Sequence, residues 1–154
     1  MMCKVCTLML NFPMKFLKMT NSRNKGAAFE REIANSLNEE LKLTIPLKRI
    51  LEQTREKFLP DLLLGQWYLE CKRYGQGNEP IEKWWIQVLD ASKDRGLPAL
   101  IYKFNNRPIK VRVPLHTINF DLPKNNHITC DLSWIDFIYL LKTLYPEDIS
   151  LHQN

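Results

Sequence analysis

Asp61-Leu-Leu-Leu-Gly-Gln-Trp-Tyr-Leu-Glu-Cys-Lys72 has the strongest structural signal in this sequence. It contains two short apolar runs separated by Gly65 and Gln66. A two-residue connection with glycine first is typical of a β-hairpin with a type II′ turn. The sequence therefore predicts two antiparallel strands in which Leu64 pairs with Trp67. The residues farther from the turn then pair in order, from Leu63 with Tyr68 to Asp61 with Glu70.

This register brings three charged side chains to one face of the hairpin. Asp61 is predicted to lie opposite Glu70, with Cβ atoms about 5 Å apart, an arrangement that is repulsive unless a positive charge lies between them. Lys72 follows two positions after Glu70 and points to the same face, whereas Cys71 points away. Mg²⁺ binds through one or two carboxylates plus water and phosphate oxygens, so it fits this gap.

Such a site has the components of phosphodiester hydrolysis. A divalent cation could polarise a phosphate and lower the pKa of a bound water, and Lys72 could hold the attacking hydroxide or offset the developing charge. The alternative is that Asp61 and Glu70 are solvated strand residues, with Glu70 and Lys72 forming a surface ion pair. The lysine has a chemical role only if the substrate carries a phosphate.

The pattern around the hairpin predicts an α/β fold with a mixed central sheet of about five strands flanked by helices. The expected order is a helix, three strands, a helix, two strands and a C-terminal helix. In chain order the predicted elements are a helix at 24–42 capped by Asn24, strands at 45–51, 61–64 and 67–72, a helix from 78–80 to Gly96, strands at 98–104 and 109–113, and a helix begun by Ser133 and Asp136.

Glu30 is an acid on the apolar side of the first predicted helix. At helical spacing it falls in the same arc as Leu37 and Leu41, whereas Arg31 lies outside that arc. A buried carboxylate is costly unless it is paired, and a metal ion or Lys72 would relieve the cost. The alternative is a helix-surface acid.

Composition limits the function less than these motifs do. The chain has 154 residues, enough for one domain, and its net charge of +5 resides in the first 29 residues, which contain five basic residues and no acid. The remainder is neutral, so local basic clusters say more about a partner than the net charge does.

The cysteines also limit the possible functions. Four cysteines without regular spacing favour a reducing, cytoplasmic compartment, and Cys3 and Cys6 supply only two of the four ligands of structural zinc. No apolar run is long enough to span a bilayer.

The chain is expected to divide into three parts. Residues 1–21 are predicted to be a disordered N-terminal extension, with Met19 as an alternative start. Residues 22–116 are predicted to form the catalytic domain. Residues 117–154 are predicted to be a tail with one helix, packed on the core or on a dimer interface.

Three motifs together resemble a known family. Lys25-Gly-Ala-Ala-Phe-Glu-Arg-Glu32, Pro60-Asp61 and Glu70-Cys-Lys72 resemble the archaeal-type Holliday-junction resolvase branch of the PD-(D/E)xK nucleases, and also small phage-borne endonucleases. The resemblance covers roughly residues 22–113. It implies a restriction-endonuclease-like core, a homodimer, dependence on Mg²⁺ with Mn²⁺ as a substitute, and hydrolysis of DNA, in recombination and repair for a resolvase.

The resemblance also implies roles for individual residues. Glu30, Asp61 and Glu70 would be metal ligands, Lys72 the catalytic lysine and Gln87 a further polar catalytic residue. The basic residues expected to contact DNA are Lys25, Arg31, Arg73, Lys110 and Arg112. Arg49 is interpreted as ordinary surface charge. Of the two adjacent tryptophans, Trp85 fits the core, whereas Trp84 could be core or could stack on unpaired bases.

Four functions remain open on these observations. The first is a structure-selective endonuclease that resolves branched DNA, although the short hairpin offers no long loop for junction recognition. The second is a restriction- or repair-type nuclease. The third is a DNA-binding protein that kept the fold without cutting, and the fourth is a structural protein whose motif is accidental.

Overall fold

The computed structural model describes residues 22–51 and 59–153, which form an α/β fold. The helices are α1 (Ser22–Glu40), α2 (Glu82–Ser92), α3 (Trp134–Leu144) and α4 (Pro146–Ser150), and the strands are β1 (Leu62–Leu64), β2 (Trp67–Tyr74), β3 (Leu97–Phe104), β4 (Lys110–Pro114) and β5 (Thr129–Ser133). The five strands form one sheet in chain order, with β2 and β3 parallel and all other pairs antiparallel. The predicted fold class, a mixed sheet of five strands flanked by helices, is confirmed.

The β1–β2 hairpin has the predicted register, with Leu64 opposite Trp67. Gly65 has a φ of +54°, which a residue with a side chain rarely adopts. A Cβ atom on Gly65 would also lie 2.2 Å from Oδ1 of Asp148 on α4. Asp148 accepts hydrogen bonds from the backbone and the side-chain nitrogens of Gln66, each at 2.9 Å. These bonds join the β1–β2 turn to α4.

The predicted strand at 45–51 is wrong, because no strand is present there. Its backbone donors instead find separate partners: the amide of Leu47 donates to Oδ1 of Asn38 at 2.7 Å, and that of Ile50 to the carbonyl of Asp61 at 3.0 Å. The fifth strand is β5, which pairs antiparallel with β4. The order after α1 is therefore two strands, a helix, three strands and two helices. The start of α1 at Ser22 also places Asn24 inside the helix rather than at its cap.

The sheet has an apolar core on each face. On one face α1 and α3 pack against the side chains of β2 that point toward them; this cluster includes Phe29, Ile33, Leu37, Trp67, Leu69, Cys71, Phe137 and Leu141. On the other face α2 packs on β3; this cluster contains Trp84, Trp85, Val88, Leu100, Tyr102 and Phe104. Because successive side chains of a strand alternate between faces, Glu70 and Lys72 lie on the α2 side of β2.

The segment after residue 116 contributes to the sheet and to the core. It contains β5, α3 and α4, one strand and one helix more than predicted for it. The predicted cap of α3 is confirmed, because Oγ of Ser133 accepts a hydrogen bond from the amide of Asp136 at 3.1 Å. The prediction for residues 1–21 lies outside the described residues. None of the helices found in 22–51 and 59–153 has the length and apolar character needed to cross a membrane.

Candidate active site

Two buried carboxylates lie where the hairpin opens. Asp61, which directly precedes β1, is 4% exposed, and Glu70 in β2 is 2% exposed. Oδ2 of Asp61 accepts a hydrogen bond from the backbone amide of Cys71 at 2.7 Å, which fixes it beside the middle of β2. The structure therefore brings together the two acids that the hairpin register pairs.

One oxygen of Glu70 is the centre of a small hydrogen-bond network. Oε1 accepts from Nζ of Lys72 at 2.7 Å and from Nε2 of Gln87 at 2.7 Å. Lys72 comes from the same strand and Gln87 from α2, so the network joins the sheet to the helix that covers it. Four of the five residues predicted to be catalytic therefore lie together. Lys72 and Gln87 contact Glu70, and Asp61 lies beside it on the hairpin.

The surroundings of Glu70 raise its pKa from 4.5 to about 7. Burial is the largest cause, and the negative charges of Asp61 and Glu30 act in the same direction, whereas Lys72 opposes them. Because two neighbouring carboxylates repel each other, a pair with one raised pKa is stabilised by a proton or another cation between the two groups. The electrostatics thus agree with a site that accepts positive charge.

Glu30 reaches the same site from α1, but it is paired there. Its Oε2 accepts a hydrogen bond from Nε of Arg49, and the two side chains form an ion pair at the edge of the site. Arg49 is therefore a site residue that sequence analysis missed and treated as surface charge. Lys48 and Arg49 are adjacent and both positively charged, and nothing in the sequence shows which of them turns inward.

The site lies in an open cleft of about 480 Å³. The residues that line it are Gly26, Glu30, Asp61, Glu70, Cys71, Lys72, Arg73, Tyr74, Ile81, Lys83, Trp84 and Gln87. Of these, Lys83 and Tyr74 were not predicted from the sequence; each stands at the edge of a predicted element, where spacing does not show whether a side chain faces the site.

Within the described ranges, no three His, Cys, Asp or Glu side chains form a ready-made metal cluster. Mg²⁺ requires only one or two carboxylates, because water and substrate oxygens complete its shell. Asp61 and Glu70 are such a pair: both are buried, and their mutual repulsion is relieved by a cation. The residues present therefore fit a divalent ion held by two carboxylates, with Glu30 bound to Arg49 nearby.

The basic residues predicted to contact DNA are dispersed. Arg73 lines the cleft, and Lys25 and Arg31 are exposed on α1. Lys110 lines a separate groove with Arg107 on the α2 side of the sheet. Arg112 makes two hydrogen bonds to the carboxylate of Asp131, at 2.8 and 2.7 Å, so its charge is already compensated within the sheet.

Comparison with known families agrees with this geometry. A family model described as "Phage putative PDDEXK endonuclease" matches residues 21–143. The chain belongs to this family. The matched segment of this PD-(D/E)xK protein begins at α1 and ends within α3, so it includes Pro60-Asp61, Glu70-Cys-Lys72 and also β5. No curated protein and no solved structure matches the chain.

Membership places the chain in a PD-(D/E)xK nuclease family associated with phage, whose substrate is DNA and whose members typically use divalent metal ions. The motif letters correspond to residues that the fold brings together in one cleft. The accidental-motif alternative requires Glu30, Asp61 and Glu70 to diverge in space, and they do not, because all three line the same cleft.

Proposed function

We propose that this protein is a Mg²⁺-dependent endonuclease that hydrolyses phosphodiester bonds in branched DNA, in the manner of a Holliday-junction resolvase, and that it acts as a homodimer in DNA recombination and repair. The observation that carries the proposal is the contact of Lys72 and Gln87 with one oxygen of Glu70, beside Asp61, in an open cleft. Catalysis is assigned to these four residues and Glu30.

Asp61 and Glu70 would hold the metal ion. When bound, Mg²⁺ or Mn²⁺ supplies charge neutralisation at the phosphate and acidifies a bound water. Glu30 is proposed as a further ligand, which requires it to leave Arg49. The released guanidinium would then lie beside the substrate, where it could pair with a backbone phosphate.

The protein's own side chains have distinct tasks. Lys72 keeps a positive charge at Glu70 and can offset negative charge that develops on the phosphate. Gln87 donates to the same Glu70 oxygen and thereby fixes the orientation of the carboxylate. Arg73 and Lys83, which both line the cleft, can contact phosphates of the strand to be cut.

Selectivity for branched DNA is supported by the resemblance of α1 and the hairpin to junction resolvases. It also agrees with the basic residues at the cleft, since phosphate contacts position DNA without reading its sequence. A restriction- or repair-type nuclease would share the same chemistry and differ only in substrate. A non-catalytic DNA-binding protein would not need Lys72 in contact with Glu70.

The test is cleavage of a labelled four-way junction and a linear duplex, each in Mg²⁺ and in EDTA. Wild type is compared with Asp61→Ala and with the control Asp90→Ala, which removes an exposed acid of α2 that does not line the cleft. Paired nicks on the junction that require Mg²⁺ and disappear only in Asp61→Ala are expected. Equal cutting of both DNAs would leave a general nuclease, and binding without cutting would overturn the catalytic proposal.

A further inference from the structure

Three aromatic rings pack together beside the active site. The ring centroids of Tyr74 and Trp84 are 5.6 Å apart with planes inclined by 55°, and those of Trp84 and Phe104 are 6.0 Å apart with planes inclined by 30°. We call Tyr74, Trp84 and Phe104 the aromatic cluster. Trp84 and Phe104 are 9% and 4% exposed, whereas Tyr74 is 60% exposed. Two rings of the aromatic cluster are therefore buried, and the Tyr74 ring is open to solvent.

The buried end of the aromatic cluster is closed by the chain itself. Gly77 has a φ of +137°, and a Cβ atom on it would lie 2.5 Å from Cε1 of Phe104, so only glycine lets the loop after β2 lie against this ring. Nothing comparable covers Tyr74 among the described residues, and its side chain lines the cleft that contains Glu70 and Lys72. The exposed ring of the aromatic cluster therefore faces the active site.

We propose that Tyr74 stacks on an unpaired base of the DNA next to the scissile phosphate, so that the cleft selects DNA in which a base is unpaired or easily unstacked. This inference rests on the proposed nuclease function and names its substrate class. Of the aromatic residues at the cleft, Trp84 was the sequence-based candidate for stacking. The structure assigns that role to Tyr74, because Trp84 is buried behind it.

The position of Tyr74 suits this role. It follows Lys72 by two residues on the same face of β2, and two residues of a strand span about 6.6 Å. Two steps between stacked bases, at about 3.4 Å each, cover nearly the same length. A base on Tyr74 would thus lie within a nucleotide or two of a phosphate at Lys72. Ile81, which is 52% exposed, adds apolar surface to the cleft, and Arg73 and Lys83 supply charge for the backbone.

Stacking on a fixed ring discriminates between DNA forms because paired bases are not available to it. Stacking on an aromatic side chain favours the binding of a base, whereas removal of a base from an intact duplex is costly. The contact with Trp84 restricts the Tyr74 ring before DNA binds, which reduces the entropy lost on binding. An unpaired base gains the stacking energy without that cost.

The experiment measures binding of two DNAs that differ by one unpaired base. One is a fully paired duplex and the other carries a single bulged 2-aminopurine, whose fluorescence falls when it stacks. All variants are made in a Lys72→Met background with Mg²⁺, so that cleavage is slow relative to the binding measurement. Tyr74→Ala and Tyr74→Leu are expected to bind the bulged DNA roughly 5-fold to 100-fold more weakly and to lose the quenching, with less than a twofold change for the duplex.

Two variants control for structure. Tyr74→Phe keeps the ring and should retain both affinity and quenching. Tyr139→Ala removes a tyrosine that is 69% exposed on α3 and does not line the cleft, and it should change neither. The leucine variant keeps apolar cover over Trp84, so a loss shared by alanine and leucine is due to the missing ring and not to unfolding.

The possible results separate this inference from the proposed function. Equal weakening on both DNAs, or quenching that survives in Tyr74→Leu, would overturn the stacking role. Failure of wild type to cut any DNA, with the Tyr74-dependent preference for the bulge intact, would overturn the nuclease proposal alone. Failure of wild type to cut any DNA, together with absence of binding to both DNAs, would overturn both.

Discussion

Nζ of Lys72 lies 2.7 Å from Oε1 of Glu70, two residues earlier on the same strand. This contact follows from the alternation of side chains in β2, which places both residues on the face covered by α2. Lys72 lowers the pKa of Glu70, whereas burial, Asp61 and Glu30 raise it. The lysine is thus the positive charge that permits two acids to share a buried site.

Replacement of Lys72 should slow cleavage strongly. In Lys72→Met the rate of cleavage is expected to fall roughly 100-fold to 1000-fold, the usual loss when one group that stabilises the transition state is removed. Single-turnover cleavage at saturating enzyme measures this rate. Lys103→Met, which removes a lysine near Glu32 outside the cleft, is the control and should keep the wild-type rate. A Lys72→Met rate within tenfold of wild type would show that the lysine is not catalytic.

The stability of the metal-free protein should fall as the pH rises from about 4.5 to about 7. The folded-state pKa of Glu70 is about 7 and its usual value is 4.5, so in this interval the folded protein binds more protons than the unfolded chain. The stability linked to this proton is complete below the lower value and is lost as pH passes the higher one. Denaturant unfolding in EDTA across this range measures it.

Glu70→Gln provides the matched control for this pH dependence, because the amide cannot ionise. The difference in unfolding free energy between wild type and Glu70→Gln should change across this interval and become constant above it. A difference that is independent of pH would mean that Glu70 titrates normally in the folded protein.

Removal of Arg49 should strengthen metal binding. Arg49 pairs with Glu30 and places a positive charge at the edge of the site. In Arg49→Ala, Mg²⁺ affinity without DNA is expected to rise by roughly fivefold or more, since one charge near 4 Å acts on a cation with about 1 kcal/mol even in water. Isothermal titration calorimetry measures it, with Arg107→Ala as the control outside the cleft. Unchanged affinity would indicate that Glu30 does not become a metal ligand.

The segment after residue 116 should be required for the stability of the whole fold. Phe137 on α3 is fully buried and contacts Trp67 of β2 edge to face, with ring centroids 5.7 Å apart. Phe137→Ala should lower the unfolding free energy by about 3–5 kcal/mol. Tyr139→Ala, an exposed aromatic residue two positions later, should change it by less than about 0.5 kcal/mol. Similar losses from both variants would show that α3 does not pack on the core through Phe137.

The elements with strong local signals were predicted well. The hairpin register followed from Gly65-Gln66, and the inner face of α1, on which Leu37 is buried, followed from apolar spacing. The strand predicted at 45–51 failed because its backbone amides bond to Asn38 and Asp61 instead of forming a ladder. β5 was missed because it is a short edge strand with mixed exposure, so its pattern resembles a polar loop.

The arrangement of Asp61, Glu70 and Lys72 on one face followed from their spacing around a two-residue turn, because alternation along a strand is a local rule that the sequence fully specifies. The other residues that reach that face are set by tertiary packing. The pairing of Glu30 with Arg49, the contact of Gln87 with Glu70 and the exposure of Tyr74 depend on how α1, α2 and the sheet pack. Such contacts join residues far apart in the chain, and no local pattern records the packing that creates them.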